Sequence, residues 1–347
     1  MIKAGIIGST GYIGQEVLRL LLQHPQVEVS HITSQSYVGK EYSKIYKNYE
    51  KLFSKQCESE DIEAISKEAD VIFVALPHGM AADKINTSVL SNAKVIDLGA
   101  DFRLNKKDEY EHWYSTEHHN EELLSTAVYG LCEWNREHIK SARLIANPGC
   151  YATCSILSLS PLIKDGIIFE NSIIVDAKSC VSGAGRTLDL GTHFSECNES
   201  VKAYKVASHR HTPEIEQELN KVGRNPLKIS FTPHLIPMNR GILVTAYGTL
   251  KSELEYADVQ AIYEKYYGKE YFIRLTNKDI FPETRWTKGS NFCDIGFTID
   301  KRTNRVLVIG AIDNLIKGGA GQAVQNMNIM FGFDEKLGLD NIPIFPA

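Results

Sequence analysis

The sequence lacks what would mark an exported, stapled or membrane-bound chain. Its seven cysteines (Cys57, Cys132, Cys150, Cys154, Cys180, Cys197 and Cys293) are an odd, scattered set with no CxxC pair and no Cys/His cluster of zinc-like spacing. That excludes a disulfide framework and offers no metal site. No segment reaches the ~18 uninterrupted apolar residues of a membrane span. The opening MIKAGIIGSTGYIG has neither the basic stretch, the long apolar run nor the small-residue cleavage site of a signal peptide, so the expected location is the cytoplasm. A formal charge of −5 with mixed signs throughout gives no basic stripe for phosphate backbones, which argues against nucleic acid and for a small-molecule substrate. At 347 residues the chain is too long for one ordinary core and is expected to form two domains.

What is present begins at once. The apolar run KAGII precedes Gly8-Ser9-Thr10-Gly11-Tyr12-Ile13-Gly14, and a helical pattern follows with Val17, Leu18, Leu21 and Leu22 on one side. Strand, glycine turn and helix in this order suit a dinucleotide pyrophosphate. The glycines allow a tight turn, close backbone approach and close helix packing, and the helix start supplies N–H donors. The next strand, VEVSHITS (27–34), should end near the adenosine ribose, where NAD-specific domains place a carboxylate. Here stand Thr33, Ser34, Gln35 and Ser36, with Lys40 nearby, and these can donate to a 2′-phosphate. The expected cofactor is therefore NADP. Two further apolar strands, 69–77 and 93–99, run into Pro77-His78-Gly79 and Ala100-Asp101-Phe102-Arg103. In open α/β sheets ligands gather at such carboxyl ends. His78 reads equally as a polar lid or a helix-start residue, and Arg103 as a surface ion pair with Asp101 or as an anion ligand.

The segment ARLIANPGCYATCSILSLSPLI reads as a strand, a turn at Asn147-Pro148-Gly149 and a helix from about Cys150. A thiol in a helix's first turn meets the positive end of the dipole, which can bring its pKa from ~8.5 into roughly 3.5–7.5. Cys150 is thus a candidate nucleophile, or else a small buried residue; Cys154, one turn on, reads as the packed one. Downstream lie the loop Ser182-Gly183-Ala184-Gly185-Arg186 and the run His209-Arg210-His211-Thr212-Pro213, with Thr212 expected to cap the helix that follows. The run from Asp313 through Asn314 and Lys317 to Gln325 reads as a loop entering a last helix. A cysteine, a histidine base and a nicotinamide cofactor together point to thiolate attack on an acyl carbon with hydride transfer at the thioester.

The motifs NPGCYAT, SGAGR, HRHTPEIEQ, PHLIPMNRGI and DNLIKGGAGQAVQNMN, in this order after GSTGYIG, resemble the N-acetyl-γ-glutamyl-phosphate reductase family of arginine biosynthesis over essentially the whole chain. The resemblance implies an α/β chain with a Rossmann-type NADP-binding domain at 1–148 with 314–347. It also implies a mixed-sheet substrate and oligomerisation domain at 149–313, assembled as a homodimer or homotetramer. It implies catalysis by Cys150 with His209 or His211, phosphate binding by Arg103, and carboxylate binding by Arg240 or Arg210. Cofactor contacts are expected from residues 8–14, Ser34, Ser36, Pro77, His78, Ser182, Gly183, Asn314 and Lys317, with no metal. NPGCYAT differs from the GNCT-like turn of aspartate-semialdehyde dehydrogenases and the SCTTN of glyceraldehyde-phosphate dehydrogenases. A carrier-linked reductase of lysine synthesis would call for extra basic surface, and an NADP-binding sensor would use its cysteine only for packing.

Overall fold

In the computed structural model, which describes residues 1–346, the chain divides into two compact units. The first comprises Met1–Pro148 with Gly319–Leu339, the second Gly149–Gly318 with Asp340 onward. Residues 314–318 therefore lie with the second unit, although they were expected with the first. Asn314 shows why: its Oδ1 accepts from Gly241 N (3.0 Å) and its Nδ2 donates to Ser182 Oγ (3.0 Å), both in that unit. The tail returns there as well, with Ile344 N donating to Lys288 O (2.9 Å).

The first unit is built on six parallel strands, β1 (Ile2–Ile7), β2 (Val27–Ile32), β3 (Val71–Val74), β4 (Lys94–Asp97), β5 (Val128–Tyr129) and β6 (Leu144–Ala146), in the order β2-β1-β3-β4-β6-β5. β3 is buried along its whole length, as a parallel sheet covered on both faces requires. Between β1 and β3 the strand order reverses, which is where such sheets open a ligand crevice. The helix Tyr12–Leu21 follows β1, and the last helix, Gly321–Phe331, belongs to this unit. Its polar residues serve as ties: Asn326 Nδ2 donates to Gly130 O (2.8 Å), and Asn328 Oδ1 pairs with His24 Nε2 (2.9 Å).

The second unit carries β7 (Ile174–Ser179), β8 (Lys202–Ala203), β9 (Ser230–Leu235), β10 (Ile242–Thr249), β11 (Ile273–Leu275), β12 (Cys293–Asp300) and β13 (Arg305–Ile312) as one mixed sheet, ordered β11-β12-β13-β10-β7-β9-β8. Burial alternates strictly along β10, so one face of the sheet is covered. The cover includes the helix Cys150–Lys164, in which every residue from Tyr151 to Ile163 is buried. Tyr263 and Tyr267 of the helix Tyr256–Tyr267 donate to its carbonyls at Ser158 (2.5 Å) and Leu157 (2.7 Å).

The cysteine helix sits so near β13 that Gly310 has no room for a side chain. A Cβ there would collide with Ser158 Oγ and lie 2.9 Å from Cys154 Sγ. Cys154 is fully buried in this contact, as a packed cysteine should be. Gly310→Ala should lower unfolding free energy by about 1–3 kcal/mol, the usual cost of overpacking. Adding Ser158→Ala should restore part of the loss, measured as urea midpoints at unchanged slope.

Candidate active site

In the first unit the three loop glycines divide the work. Gly8 has φ +76°, and a Cβ on it would stand 2.5 Å from Ala75 O, just past β3. A Cβ on Gly14 would strike the Gly8 carbonyl, whereas one on Gly11 would meet nothing nearer than 3.6 Å. Turn, helix packing and an open side for a ligand are thus assigned to Gly8, Gly14 and Gly11, and the cradle fits a dinucleotide pyrophosphate. Ser9 is buried and donates to Thr33 O (2.9 Å), while Thr10 Oγ1 and Ser34 Oγ share a hydrogen bond of 2.8 Å. Ser36 and Lys40 are exposed. A carboxylate does reach this corner, from outside the strand: Glu60 accepts from Gln35 Nε2 (3.2 Å), but Lys84 pairs with it at 2.9 Å.

At the ends of β3 and β4 the fold overturns the surface ion pair between Asp101 and Arg103. Asp101 is fully buried and accepts from Gly79 N (2.6 Å), Ala81 N (2.8 Å), Ala82 N (3.1 Å) and Tyr110 Oη (2.8 Å). Arg103 turns inward, donating from Nε to Asn147 O (2.8 Å) and from Nη2 to Leu98 O (3.0 Å). Pro77 and His78 are exposed, and the His78 ring lies 5.6 Å from that of Tyr114. Asp97, which local sequence reads only as a strand residue, is fully buried; burial, with the Asp101 charge adding, pushes its carboxyl up to about 7.

In the second unit Cys150 is the first residue of its helix and remains partly exposed. A Cβ on Gly318 would lie 2.7 Å from the Cys150 Cβ, so only glycine lets the 316–320 turn pass the cysteine this closely. The histidine helix runs from His211 to Val222 with Arg210 at its cap, two residues ahead of the expected Thr212 cap. Arg210 is already helical in φ and ψ, and Thr212 N donates to His209 O (2.9 Å), which draws the turn forward.

Glu214 joins cysteine and histidines. Fully buried, it accepts from Gly149 N through Oε1 (2.7 Å), and its Oε2 lies 3.9 Å from His211 Nε2. Sequence reading missed it; the available signal was an acid three residues after His211 on a helix. Tyr151 is packed edge-on against His209 (5.5 Å) and His211 (5.9 Å), so the two motifs meet in a shared aromatic cluster. The histidines differ. His209 Nδ1 accepts from His211 N (3.1 Å), which leaves Nε2 to carry the hydrogen of the neutral ring. Burial, with His211, Lys205 and Arg210 adding positive charge, pushes His209 down to about 2.

Arg240 Nη1 reaches Asp313 Oδ2 at 3.3 Å, and Asp313 also accepts from Gly289 N, Leu315 N and Ile316 N. Asn314 brings Ser182 to the same place, while Arg210 is half-buried at the start of the histidine helix and Gly183 is exposed. Lys317 departs from the expectation of a cofactor contact. It is fully buried with its ammonium 5.6 Å over the Phe272 ring, because the 316–320 turn points that side chain into the core. Among the described residues no helix is long and apolar enough to cross a membrane, and no three His, Cys, Asp or Glu are grouped to hold a metal ion.

Residues 3–142 match the family model for the semialdehyde dehydrogenase NAD binding domain, and residues 150–314 that for the semialdehyde dehydrogenase dimerisation domain. The chain is similar to an N-acetyl-gamma-glutamyl-phosphate reductase of Lachnoclostridium phytofermentans, 55% identical over 346 residues and 100% of both chains. It is similar to another from Lachnospira eligens, 55% identical over 348 residues and again 100% of both. Among solved structures it shares the fold of an aspartate semialdehyde dehydrogenase from Candida albicans determined with NADP. That likeness has a TM-score of 0.72 at 17% identity and covers 95% of this chain and 99% of the other.

The neutral His209 makes stability depend on pH. In the unfolded chain the imidazole takes its proton below about 6.5, and in the fold only near 2. Between these values the unfolded chain holds the extra proton, so this stability is present above about 6.5 and is lost as the pH falls below it. His209→Asn should give a shallower acid-side decline of the urea midpoint than the wild type. Superimposable pH profiles would show that the ring is not held neutral.

Proposed function

Because the chain belongs to the N-acetyl-γ-glutamyl-phosphate reductase family of semialdehyde dehydrogenases, we propose that it reduces N-acetyl-L-glutamyl 5-phosphate to N-acetyl-L-glutamate 5-semialdehyde and phosphate, a step of arginine biosynthesis. The observation that carries this reading is Cys150 at its helix start, tied through Glu214 to His211. NADPH, when bound, supplies the hydride. Residues Gly8 to Gly14 with Ser34, Ser36, Pro77 and His78 would hold it, with Ser182, Gly183 and Asn314 as further contacts. NADP is preferred to NAD because residues 33–36 carry no carboxylate and Glu60 is paired with Lys84.

The Cys150 thiolate, favoured by the helix dipole, attacks the acyl carbon. A C–S bond forms, the C–O bond to phosphate breaks, and phosphate leaves with the one proton that the net reaction consumes. After reduction of the thioester carbon, His211 gives a proton to the resulting oxyanion. It takes the proton back as the C–S bond breaks, releasing aldehyde and thiolate. Glu214 faces His211 and suits it to that exchange, whereas the neutral His209 is a hydrogen-bond donor through Nε2 and not an acid. Arg103, oriented by the carbonyls of Asn147 and Leu98, serves the phosphate. Arg240, whose Asp313 partner is shared among three amides, or Arg210 serves the substrate carboxylate. The dimerisation-domain match supports a homodimer or a homotetramer, and seven cysteines without a disulfide suit the cytoplasm.

Phosphate-dependent reduction of NADP+ with N-acetylglutamate semialdehyde tests the assignment. Cys150→Ala should abolish turnover, and His211→Gln should lower kcat by about 10²–10⁴-fold. Turnover with aspartate semialdehyde alone would refute the substrate, and wild-type rates in the cysteine variant would refute the thioester.

A further inference from the structure

The glycine loop is braced from behind by three tyrosines that none of the motifs includes. Tyr42 Oη donates to Ser9 O (2.8 Å), Tyr46 Oη to Thr10 O (2.7 Å) and Tyr49 Oη to Gln15 O (3.2 Å). All three come from one short segment: Tyr42 opens the helix Tyr42–Ile45, Tyr49 closes the turn Lys47–Tyr49, and Tyr46 joins the two. Their rings pack on one another, Tyr42 lying 5.4 Å from Tyr46 and 5.2 Å from Tyr49. The segment is anchored at its base, where Tyr42 N donates to Lys55 O (2.9 Å) and Cys57 N to Lys40 O (2.9 Å).

A trans peptide sets its C=O and N–H in opposite directions. Fixing the Ser9 carbonyl toward Tyr42 therefore turns the Thr10 N–H the other way. The Thr10 carbonyl belongs to the peptide that enters Gly11, whose N–H donates to Gly8 O (3.2 Å). Holding that carbonyl against Tyr46 therefore keeps the Gly8–Gly11 turn closed, although glycine by itself offers little resistance to a flip of the peptide. Gln15 O fixes the first helical turn, whose leading N–H groups at Tyr12, Ile13 and Gly14 lack acceptors within the helix. Burial pushes the Tyr49 hydroxyl up to about 12, so it keeps its proton for donation.

We propose that Tyr42, Tyr46 and Tyr49 are positioning residues for the dinucleotide pyrophosphate: they hold the back of the loop so that its N–H face stays turned to the ligand. The proposal rests on the cofactor assignment above. The test is direct titration of NADPH, followed by its fluorescence, against wild type, Tyr46→Phe and the double variant Tyr42→Phe/Tyr46→Phe. Tyr46→Phe keeps the half-buried ring and removes only the donor. Loss of one such hydrogen bond should weaken NADPH about 5-fold, and loss of both by more than 10-fold. The inhibition constant of adenosine 2′-monophosphate, which lacks a pyrophosphate, should stay unchanged, as should kcat at saturating NADPH. Variants that bind NADPH as wild type does would overturn the proposal. So would equal weakening of both ligands, which would indicate a distorted domain. A wild-type protein that bound neither NADPH nor NADH would instead overturn the cofactor assignment itself.

Discussion

In the second unit, the contact between the cysteine and histidine motifs depends on one buried carboxylate. Glu214 holds the amide at the mouth of the cysteine helix with one oxygen and faces His211 with the other. Removing such a group from water is costly unless its oxygens find partners. Here one oxygen accepts from Gly149 N, 65 residues away along the chain, and the other lies 3.9 Å from His211 Nε2. The same residue thus holds the amide before Cys150 and ties two helices of one unit. It also explains why the two histidines are unequal, since His211 faces the carboxylate while His209 is buried among cationic neighbours.

Around that tie, positions are set by backbone contacts so close that only glycine fits. Gly318 lets the 316–320 turn pass Cys150, and Gly310 lets the cysteine helix lie on the sheet. In the other unit Gly8 and Gly14 bring loop, strand and helix together and leave Gly11 open. Protein interiors transmit such contacts with little slack. Both glycine sets therefore position the cysteine and the dinucleotide loop through geometry, not through chemistry of their own. Carbonyl acceptors do comparable work: those of Leu98 and Asn147 hold Arg103, and those of Ser9, Thr10 and Gln15 are held by tyrosines.

Much of this was legible in order along the chain. The strand, glycine turn and helix at residues 3–22 carry their own pattern, because apolar period and glycine spacing are local properties. So does the turn before Cys150. The Thr212 cap was misplaced because the His209 carbonyl started the helix earlier. Local sequence left Arg103 open between a surface pair with Asp101 and an anion ligand, since adjacency in sequence says nothing of which way two side chains turn. Lys317 looked like a cofactor contact for the same reason, and a lysine in the core is not expected from its type.

The sequence by itself determined the elements, the dinucleotide loop, the candidate cysteine at its helix start and the family, because each resides in a short run whose meaning does not depend on distant residues. Only the tertiary structure decided which histidine faces a carboxylate, that Glu214 is that carboxylate, and that three tyrosines stand behind the glycine loop. Those facts are contacts between residues far apart in the chain. They depend on directions of side chains and on burial, which packing sets and local pattern does not encode.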